Sequence, residues 1–226
     1  MSLAHGASIV TSGLVFMVDP ANLKSYPGTG TMWTDIINNS VGTMVGTPTY
    51  SSNNAGTFLF SGVTQNFNFS TSPALNITNN ITLEAWVNIT SNVNYGGILV
   101  YGTLSAEQYS LNTMSTGQFS VGTNYPTNWY LNSMSSYSLS NWYHLVVTFS
   151  STVWNMYLNG VFNSTSTIPI STFPSVTSAY LTIGDNQPGG QEYLNGNVGA
   201  ARIYNRVLAN NEIAQNFNAL RGRYGI

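Results

Sequence analysis

Hydrophobic and polar positions alternate most clearly between residues 142 and 165. In the first part of this stretch every second residue is hydrophobic: Tyr143, Leu145, Val147 and Phe149. This two-residue period is typical of a β-strand with one buried face. The alternation resumes at Trp154 and ends at Asn159-Gly160, a pair that favours the two positive φ angles of a type I′ hairpin turn. The stretch therefore predicts three antiparallel strands that bury one face against another part of the fold.

Shorter hydrophobic runs, separated by turn-forming residues, predict further strands before and after this stretch. They cover residues 13–18, 81–89, 97–101, 107–111, 118–122, 129–131, 179–184 and 196–204. Two aromatic runs, 58–60 and 67–69, flank a connection that contains glycine and are predicted to form a hairpin. Residues 38–57 are predicted to be a long loop or weak edge strands. Roughly a dozen short strands at this spacing predict an all-β fold, a two-sheet antiparallel β-sandwich.

One short helix is predicted near the C-terminal end of the sequence. Ile213, Phe217 and Leu220 are spaced so that they share one face of a helix. Asn210 or Asn211 can cap its first turn, since Asn side chains accept hydrogen bonds from the free N–H groups there. We expect the apolar face of this helix to dock on the sandwich.

Composition constrains the function more than the fold. Only 5% of the residues are charged, against about 25% in ordinary soluble domains. The five Lys and Arg residues are too few to form a basic stripe that binds nucleic acid. A nearly uncharged surface suits close packing against other proteins, including further copies of this chain in a homo-oligomer. The absence of cysteine excludes a disulfide framework and thiolate metal sites. No apolar run is long enough to predict a membrane-spanning helix.

The composition does not change abruptly along the chain, so we predict one domain over residues 14–226. A small-residue arm precedes it at residues 1–13, which we expect to be disordered or to pair with a neighbouring molecule. This arm has neither the basic region nor the long apolar run of a secretory signal, so no leader is expected.

Several segments, taken in order, resemble the laminin-G-like domains of the concanavalin-A-like jelly-roll superfamily. They read LEAWVN at 83–88, NWYHLVVTF and WNMYLNG within 141–160, LTIGDN at 181–186 and YLNGNVGAARIYNRVLANNEI at 193–213. The resemblance implies a jelly roll with one short C-terminal helix. The family often has a Ser cap where this chain has Ala209, so the capping box with Glu212 is incomplete.

The two ends of the chain resemble a particular version of this domain. Residues 13–36 and 216–226 are similar to the form found in tailed-phage virion proteins. This resemblance implies a location on the virion, exposed on the particle surface, with capsid or tail subunits as partners.

Some glycan hydrolases share the jelly roll, and retaining hydrolysis needs two carboxylates about 5 Å apart. Those relatives supply them from a Glu-x-Asp-x-x-Glu run, whereas the seven acidic residues here are isolated in sequence: Asp19, Asp35, Glu84, Glu107, Asp185, Glu192 and Glu212. Of the two histidines, His5 lies in the arm and His144 stands where the family often has a structural histidine. We therefore predict no catalytic residues and no enzymatic activity.

Aromatic loop residues are the candidates for glycan binding. Sugars stack their apolar faces on aromatic rings and hydrogen-bond to planar amides. The candidates of these two kinds are Tyr95, Asn124, Tyr125, Asn128, Trp129 and Tyr193. The alternative is that Trp129 packs inside the sandwich.

The loop 184–192 contains the candidates for a calcium site. Asp185, Asn186 and Glu192 carry oxygen ligands of the kind that calcium prefers, and laminin-G relatives hold calcium at a rim. The alternative is that these residues only form a turn, because Asp, Asn and Gly are also the residues that turns require.

The prediction for function is a non-enzymatic phage virion surface protein with a lectin-like jelly roll, serving as a head or tail structural or decoration component. In one version it binds host or environmental glycans through the aromatic loops. In the other it is a capsid cement protein without a ligand. A glycan-active hydrolase is the third alternative. The same fold hosts lectins, enzymes and scaffolds, so these alternatives stay open at this point.

Overall fold

The computed structural model describes residues 8–70, 72–103, 106–124, 129–176, 178–186 and 192–226. These residues form sixteen strands, one α-helix and two single-turn 3-10 helices, at Asn53–Ala55 and Pro73–Leu75. The strands and the helix are β1 (Leu14–Val18), β2 (Met32–Thr34), β3 (Val41–Val45), β4 (Thr49–Ser51), β5 (Thr57–Ser61), β6 (Asn66–Phe69), β7 (Ile81–Ile89), β8 (Gly96–Thr103), β9 (Ala106–Thr113), β10 (Phe119–Thr123), β11 (Trp129–Asn132), β12 (Trp142–Ser150), β13 (Val153–Leu158), β14 (Val161–Thr167), β15 (Tyr180–Ile183), β16 (Asn195–Tyr204) and α1 (Asn210–Tyr224).

The strands form two eight-stranded antiparallel sheets. Sheet A has the order β14-β13-β12-β7-β16-β5-β4, and β1 also pairs with β16. Sheet B has the order β11-β10-β9-β8-β15-β6-β3-β2. This arrangement confirms the predicted two-sheet β-sandwich with one C-terminal helix.

The inner faces of the two sheets enclose the main hydrophobic core. Phe58 of sheet A and Phe67 of sheet B meet there with ring centroids 4.7 Å apart, and Trp33 packs against both rings. Because the core lies between the sheets, each strand exposes its other face either to solvent or to an element that covers it.

The central meander has the predicted register. β12 pairs with β13 and β13 with β14, and Leu145, Val147 and Phe149 are fully buried in the core. Asn159 and Gly160, which connect β13 to β14, have φ angles of 53° and 78°, as the predicted hairpin turn requires.

The predicted hairpin between residues 58–60 and 67–69 is wrong. β5 belongs to sheet A and β6 to sheet B, so the chain crosses from one sheet to the other between them. Both aromatic runs face the same core from opposite sides, and an alternating pattern does not distinguish this arrangement from a hairpin. Residues 38–57, predicted to be a loop or weak edge strands, contain the short strands β3 and β4.

Helix α1 docks on the outer face of sheet A, as its apolar spacing predicts. Ile213 and Phe217 pack on this face. The predicted Asn cap is wrong: Ala209 is the N-cap residue, and Asn210 instead accepts a 3.0 Å hydrogen bond from the Tyr157 hydroxyl. The Glu212 carboxylate accepts a 2.8 Å hydrogen bond from the Ala209 N–H, which is the half of a capping box that an alanine cap leaves possible.

Residues 8–13 of the predicted arm pack on the same chain, beside α1. The Val10 N–H donates to Asn216 Oδ1 at 2.8 Å, and the Val10 carbonyl accepts from the Tyr204 hydroxyl at 3.0 Å. Gln215 donates to the Ser8 carbonyl at 2.6 Å. These hydrogen bonds hold this part of the arm against α1 and β16 of its own chain. Among the residues that the structure describes, no helix is both long and apolar enough to span a membrane.

Candidate functional site

The outer face of sheet B carries a row of small and polar residues that crosses the sheet. Cross-strand pairing aligns Thr43, Asn68, Thr182, Val100, Ser110, Gly122 and Tyr130. Thr182 and Ser110 are fully buried although they face away from the core. The middle of this face is therefore shielded from solvent.

Glu107 lies beside this row, at a point where the register of β8 and β9 shifts between the pairs Tyr101–Tyr109 and Gly102–Glu107. The shift breaks the alternation of β9 and brings the Glu107 carboxylate to Ser110, whose hydroxyl donates to Oε1 at 2.5 Å. A second hydrogen bond, from Asn112 to the Ser110 oxygen at 2.8 Å, supports this arrangement.

The Glu107 carboxylate has an unusual environment for a charged group. The residue is 1% exposed, and its Oε2 has no hydrogen-bond partner among the described residues. Burial raises the pKa of Glu107 to about 7, and the charge of Glu192 adds to this effect while the Ser110 hydrogen bond opposes it. A proton on this carboxyl group is therefore gained and lost near neutral pH.

Two tyrosines and a second carboxylate complete the site. The rings of Tyr95 and Tyr130 lie 5.6 Å apart at 46°, and both side chains are half-buried. Burial and the nearby charges of Glu107 and Glu192 raise the pKa of Tyr130 above its ordinary value. We call the group formed by Tyr95, Glu107, Ser110, Tyr130 and Glu192 the sheet B site.

The structure brings some of the predicted glycan residues to this site. Tyr95 is a member, and Asn124 borders it by accepting a 2.5 Å hydrogen bond from the Glu107 N–H. Tyr193 pairs instead with Asp185 in an isolated β-bridge, where burial and the Asp185 charge raise the pKa of Tyr193. Tyr125, Asn128 and the side chain of Trp129 lie outside the described residues.

The structure describes all three predicted calcium ligands, and two of them are in contact. Asn186 donates a hydrogen bond to the Glu192 carboxylate, whereas Asp185 is fully buried and accepts from Asn66 at 3.3 Å. In the described ranges no three acidic or histidine side chains form a group that could hold a metal ion. The calcium site stays a prediction. The charge of Glu192 also acts on Glu107, whose pKa it raises.

His144 takes part in a buried network on the other side of the sandwich, under α1. Glu84 of β7 forms an ion pair with Arg202 of β16, lies 3.1 Å from His144 Nε2, and accepts from Asn216 of α1 at 2.7 Å. Burial alone would raise the pKa of Glu84, but Arg202, followed by His144 and Asn216, lowers it to about 2. All three ionisable side chains are fully buried, so the network joins α1 to sheet A. This position agrees with a structural role for His144.

Positive charge is concentrated on this same side. Besides Arg202, Arg206 pairs with Glu212 and Arg223 with Asp19, while Arg221 stacks over the Phe217 ring at 5.3 Å. The remaining cation, Lys24, lies in the loop between β1 and β2, and β2 is at the opposite edge of sheet B from β11. The sheet B site therefore has two carboxylates and no lysine or arginine within it.

A depression of about 440 Å³ lies beside the end of α1. Trp142, Asn141 and Tyr224 are among its lining residues. The Trp142 and Tyr224 rings pack on each other with centroids 4.5 Å apart, so part of the aromatic surface is used to hold the helix.

The chain is similar in structure to a sialidase and to the binding domain of a neurotoxin. The sialidase of Trypanosoma rangeli in complex with sialic acid has a TM-score of 0.70 and 20% identity, over 96% of this chain and 35% of the sialidase chain. The binding domain of botulinum neurotoxin DC in complex with SialylT has a TM-score of 0.71 and 15% identity, over 92% of this chain and 52% of the toxin chain. The chain thus spans about a third of the sialidase and about half of the toxin chain, and at these identities the likeness shows the fold alone.

Sequence comparison identifies the family. No curated protein sequence matches the chain. The Laminin_G_3 family, described as the concanavalin A-like lectin/glucanases superfamily, matches residues 60–214. This segment runs from the end of β5 into α1 and includes the meander and the strands of the sheet B site. The protein therefore belongs to the concanavalin A-like lectin/glucanases superfamily, as the resemblance of its motifs predicts.

Proposed function

We propose that this protein is a glycan-binding module and that the sheet B site is where the glycan binds. The observation that carries the proposal is the pair of half-buried tyrosine rings, Tyr95 and Tyr130, next to a row of small and polar residues on the outer face of sheet B. Aromatic rings bind the apolar faces of sugars, and fixed polar groups orient the hydroxyls.

The comparisons support the ligand class. The two similar proteins named above are complexed with sialic acid and with SialylT, and the family description contains the word lectin. Fold similarity does not carry a binding site from one protein to another, so the proposal depends on the residues of the sheet B site.

Binding without catalysis is part of the proposal. A general acid must reach the glycosidic oxygen, and Glu107 is 1% exposed and already accepts a hydrogen bond from Ser110. We expect no reducing ends to be released when the protein is incubated with the oligosaccharides that it binds. Release that depends on Glu107 and Glu192 would contradict this part of the proposal and favour a hydrolase.

A glycan array tests the site directly. We expect the wild-type protein to bind a subset of the array and Tyr130→Ala to lose at least roughly tenfold in affinity, as expected when one aromatic contact is removed from a sugar site. Phe162→Ala is the matched control, because Phe162 is 52% exposed and lies on β14 of sheet A. An array on which the wild-type protein binds nothing would overturn the proposal. Binding that Tyr130→Ala keeps and Trp142→Ala loses would overturn the assignment to sheet B.

We further propose that the protein is displayed on a phage particle, as a head or tail component. The support is its low content of charged residues, 5%, which suits close packing on other proteins, and the resemblance of residues 13–36 and 216–226 to virion proteins. Immunogold labelling of purified particles tests this location and shows whether the head or the tail is labelled. Particles that carry no label, and whose proteins contain no peptide of this chain by mass spectrometry, would contradict it.

A further inference from the structure

We infer that the depression beside the end of α1 is a second ligand site, on the opposite side of the sandwich from the sheet B site, and that it binds a neutral sugar. We call it the α1 depression. Its walls come from residues 140–143 at the start of β12, from Asn159 in the turn between β13 and β14, and from residues 224–226 at the end of α1. The inference extends the proposed function to a second site, and it stands on different residues.

The α1 depression has the size of a small-molecule site. Its volume of about 440 Å³ lies within the range of roughly 300–1,000 Å³ that such sites have. All the residues of its walls are within the described part of the chain. Its shape and its polar groups can therefore be read directly from the structure.

Trp142 supplies a rigid aromatic surface in the α1 depression. Its ring packs against that of Tyr224 with centroids 4.5 Å apart, and the Tyr224 ring stacks in turn on Trp86 at 4.3 Å and 14°. The Tyr224 hydroxyl is also fixed, because it accepts a 3.1 Å hydrogen bond from the Ala200 N–H. Trp142 itself is only half-buried, so part of its ring is open to a ligand. Sugars stack their apolar faces on such rings.

Asn159 supplies an amide whose orientation is fixed beside this ring. Its N–H donates to the His144 carbonyl at 2.8 Å, and its Oδ1 accepts from the His144 N–H at 2.9 Å. These two hydrogen bonds hold the residue on β12 and use the amide oxygen. The Nδ2 group is the part of this amide that remains to donate to a ligand hydroxyl.

Ser140 and Asn141 complete the polar rim. Ser140 has a φ angle of 62°, in the left-handed region, and its N–H is fixed by a 2.7 Å hydrogen bond to the Ile89 carbonyl. A strained conformation of this kind persists only where the surrounding structure holds it. Both residues are exposed, and their hydroxyl and amide groups can donate to sugar hydroxyls and accept from them. The rim is therefore formed before a ligand arrives, which reduces the entropic cost of binding.

The side chains of the α1 depression favour a neutral ligand. No lysine, arginine, aspartate or glutamate is among the residues of its walls, which the structure describes completely. A charged ligand loses much of its hydration on binding and needs charged or several donating groups in return. A neutral sugar needs only an aromatic face and hydrogen bonds, and the α1 depression offers both.

The two sites face away from each other. The α1 depression is on the side of α1, which docks on the outer face of sheet A, whereas the tyrosine pair is on the outer face of sheet B. One molecule can therefore hold two glycan chains, one on each side. The α1 depression offers one open ring where the sheet B site has two, so we expect it to bind roughly tenfold more weakly.

Calorimetric titration of Tyr130→Ala isolates the α1 depression, because this variant weakens the sheet B site. The probes are maltotetraose and cellotetraose, two neutral glucose tetramers that differ in their linkage. We expect at least one of them to bind Tyr130→Ala, and to bind the double variant Tyr130→Ala/Trp142→Ala at least roughly tenfold more weakly. Sialyllactose, which is anionic, should bind Tyr130→Ala more weakly than that tetramer does.

Asn159→Asp, made in the Tyr130→Ala protein, tests the site without removing the ring. Aspartate keeps an oxygen that accepts from the His144 N–H, but it replaces the donating Nδ2 group with a second oxygen. The affinity for the tetramer should fall at least roughly tenfold while the melting temperature changes little. Phe162→Ala is the control that removes an exposed ring elsewhere on sheet A, and it should leave the affinity unchanged.

Three results would overturn the inference and leave the proposed function intact. They are that neither tetramer binds Tyr130→Ala, that Trp142→Ala and Asn159→Asp leave the binding unchanged, and that sialyllactose binds Tyr130→Ala more tightly than both tetramers. Failure of the proposed function itself would appear separately, as a glycan array on which the wild-type protein binds nothing.

Discussion

Replacing Glu107 with glutamine should change the way in which stability depends on pH. The carboxyl group has a pKa of about 7 in the folded protein, against an ordinary value of 4.5, mainly because it is buried. The folded protein therefore holds the proton of Glu107 more tightly than the unfolded chain does. Glutamine has nearly the same shape and does not ionise, so the variant removes the titration and keeps an acceptor for the Ser110 hydroxyl.

The sign and the size of the effect follow from proton linkage. Below about pH 4.5 the group is protonated in both states, and its contribution to stability is fully present. As the pH rises from 4.5 to about 7, the unfolded chain ionises first and the folded state loses stability. The difference between the two pKa values corresponds to roughly 3 kcal/mol of unfolding free energy, lost in full above about pH 7.

Glu84 has the opposite behaviour. Although it is buried, its ion pair with Arg202 lowers its pKa to about 2 from 4.5. Its contribution is present above pH 4.5 and is lost as the pH falls towards 2. The two glutamates together place the pH of greatest stability near about pH 5, below the neutral range in which Glu107 titrates.

Urea unfolding followed by tryptophan fluorescence measures this directly at several pH values between about 5 and 8. The unfolding free energy of Glu107→Gln, relative to wild type, should rise by about 3 kcal/mol across this range. Glu192→Gln should give a smaller rise, because it removes only the part of the pKa increase that the neighbouring charge causes. A constant difference between Glu107→Gln and wild type, or one that falls with pH, would refute the reasoning.

Two further substitutions test the buried network on the outer face of sheet A and the backbone next to the sheet B site. Glu84→Gln leaves the fully buried guanidinium of Arg202 without a counterion, and urea unfolding should show that the free energy of unfolding falls by about 3–5 kcal/mol. Glu212→Gln removes one partner of a partly exposed ion pair, and its free energy of unfolding should fall by about 1 kcal/mol or less. Equal losses in the two variants would contradict the buried network. Gly97→Ala would place a Cβ 2.2 Å from the Asp185 backbone, so the melting temperature should fall. Glycan affinity should weaken as well, because Asn186, which is bonded to Glu192, is displaced. A wild-type melting temperature would show that this close approach is absent.

The strands with strong alternation could be predicted from the sequence because their pattern follows from local geometry. β7 was predicted with the bounds that it has, Ile81–Ile89, and Asn159-Gly160 adopts the predicted positive φ angles. Which sheet a strand joins depends on contacts between distant residues, and the aromatic runs in β5 and β6 show this limit. Their rings face the same core from opposite sheets, which a local pattern does not reveal.

The sheet B site could be predicted only in part. Aromatic and amide residues indicated Tyr95 and Asn124, and the oxygen ligands of a loop indicated Glu192. Glu107 was missed because its importance depends on a register shift at Gly102 and on partners that are distant in sequence. The same reason explains why Glu84, isolated in sequence, lies at the centre of a buried network with a partner 118 residues away.

The position of the two ends of the described chain determines how the domain can be tethered. Ser8 and Val10 are hydrogen-bonded to α1, which itself docks on sheet A, so both ends lie on one side of the sandwich. A carrier attached at either end is held on that side, and the face of sheet B points away from it. An array of such domains on a common support would present all its tyrosine pairs outward. Binding to a polymer with repeated units would then be strong through avidity, although each single site binds weakly.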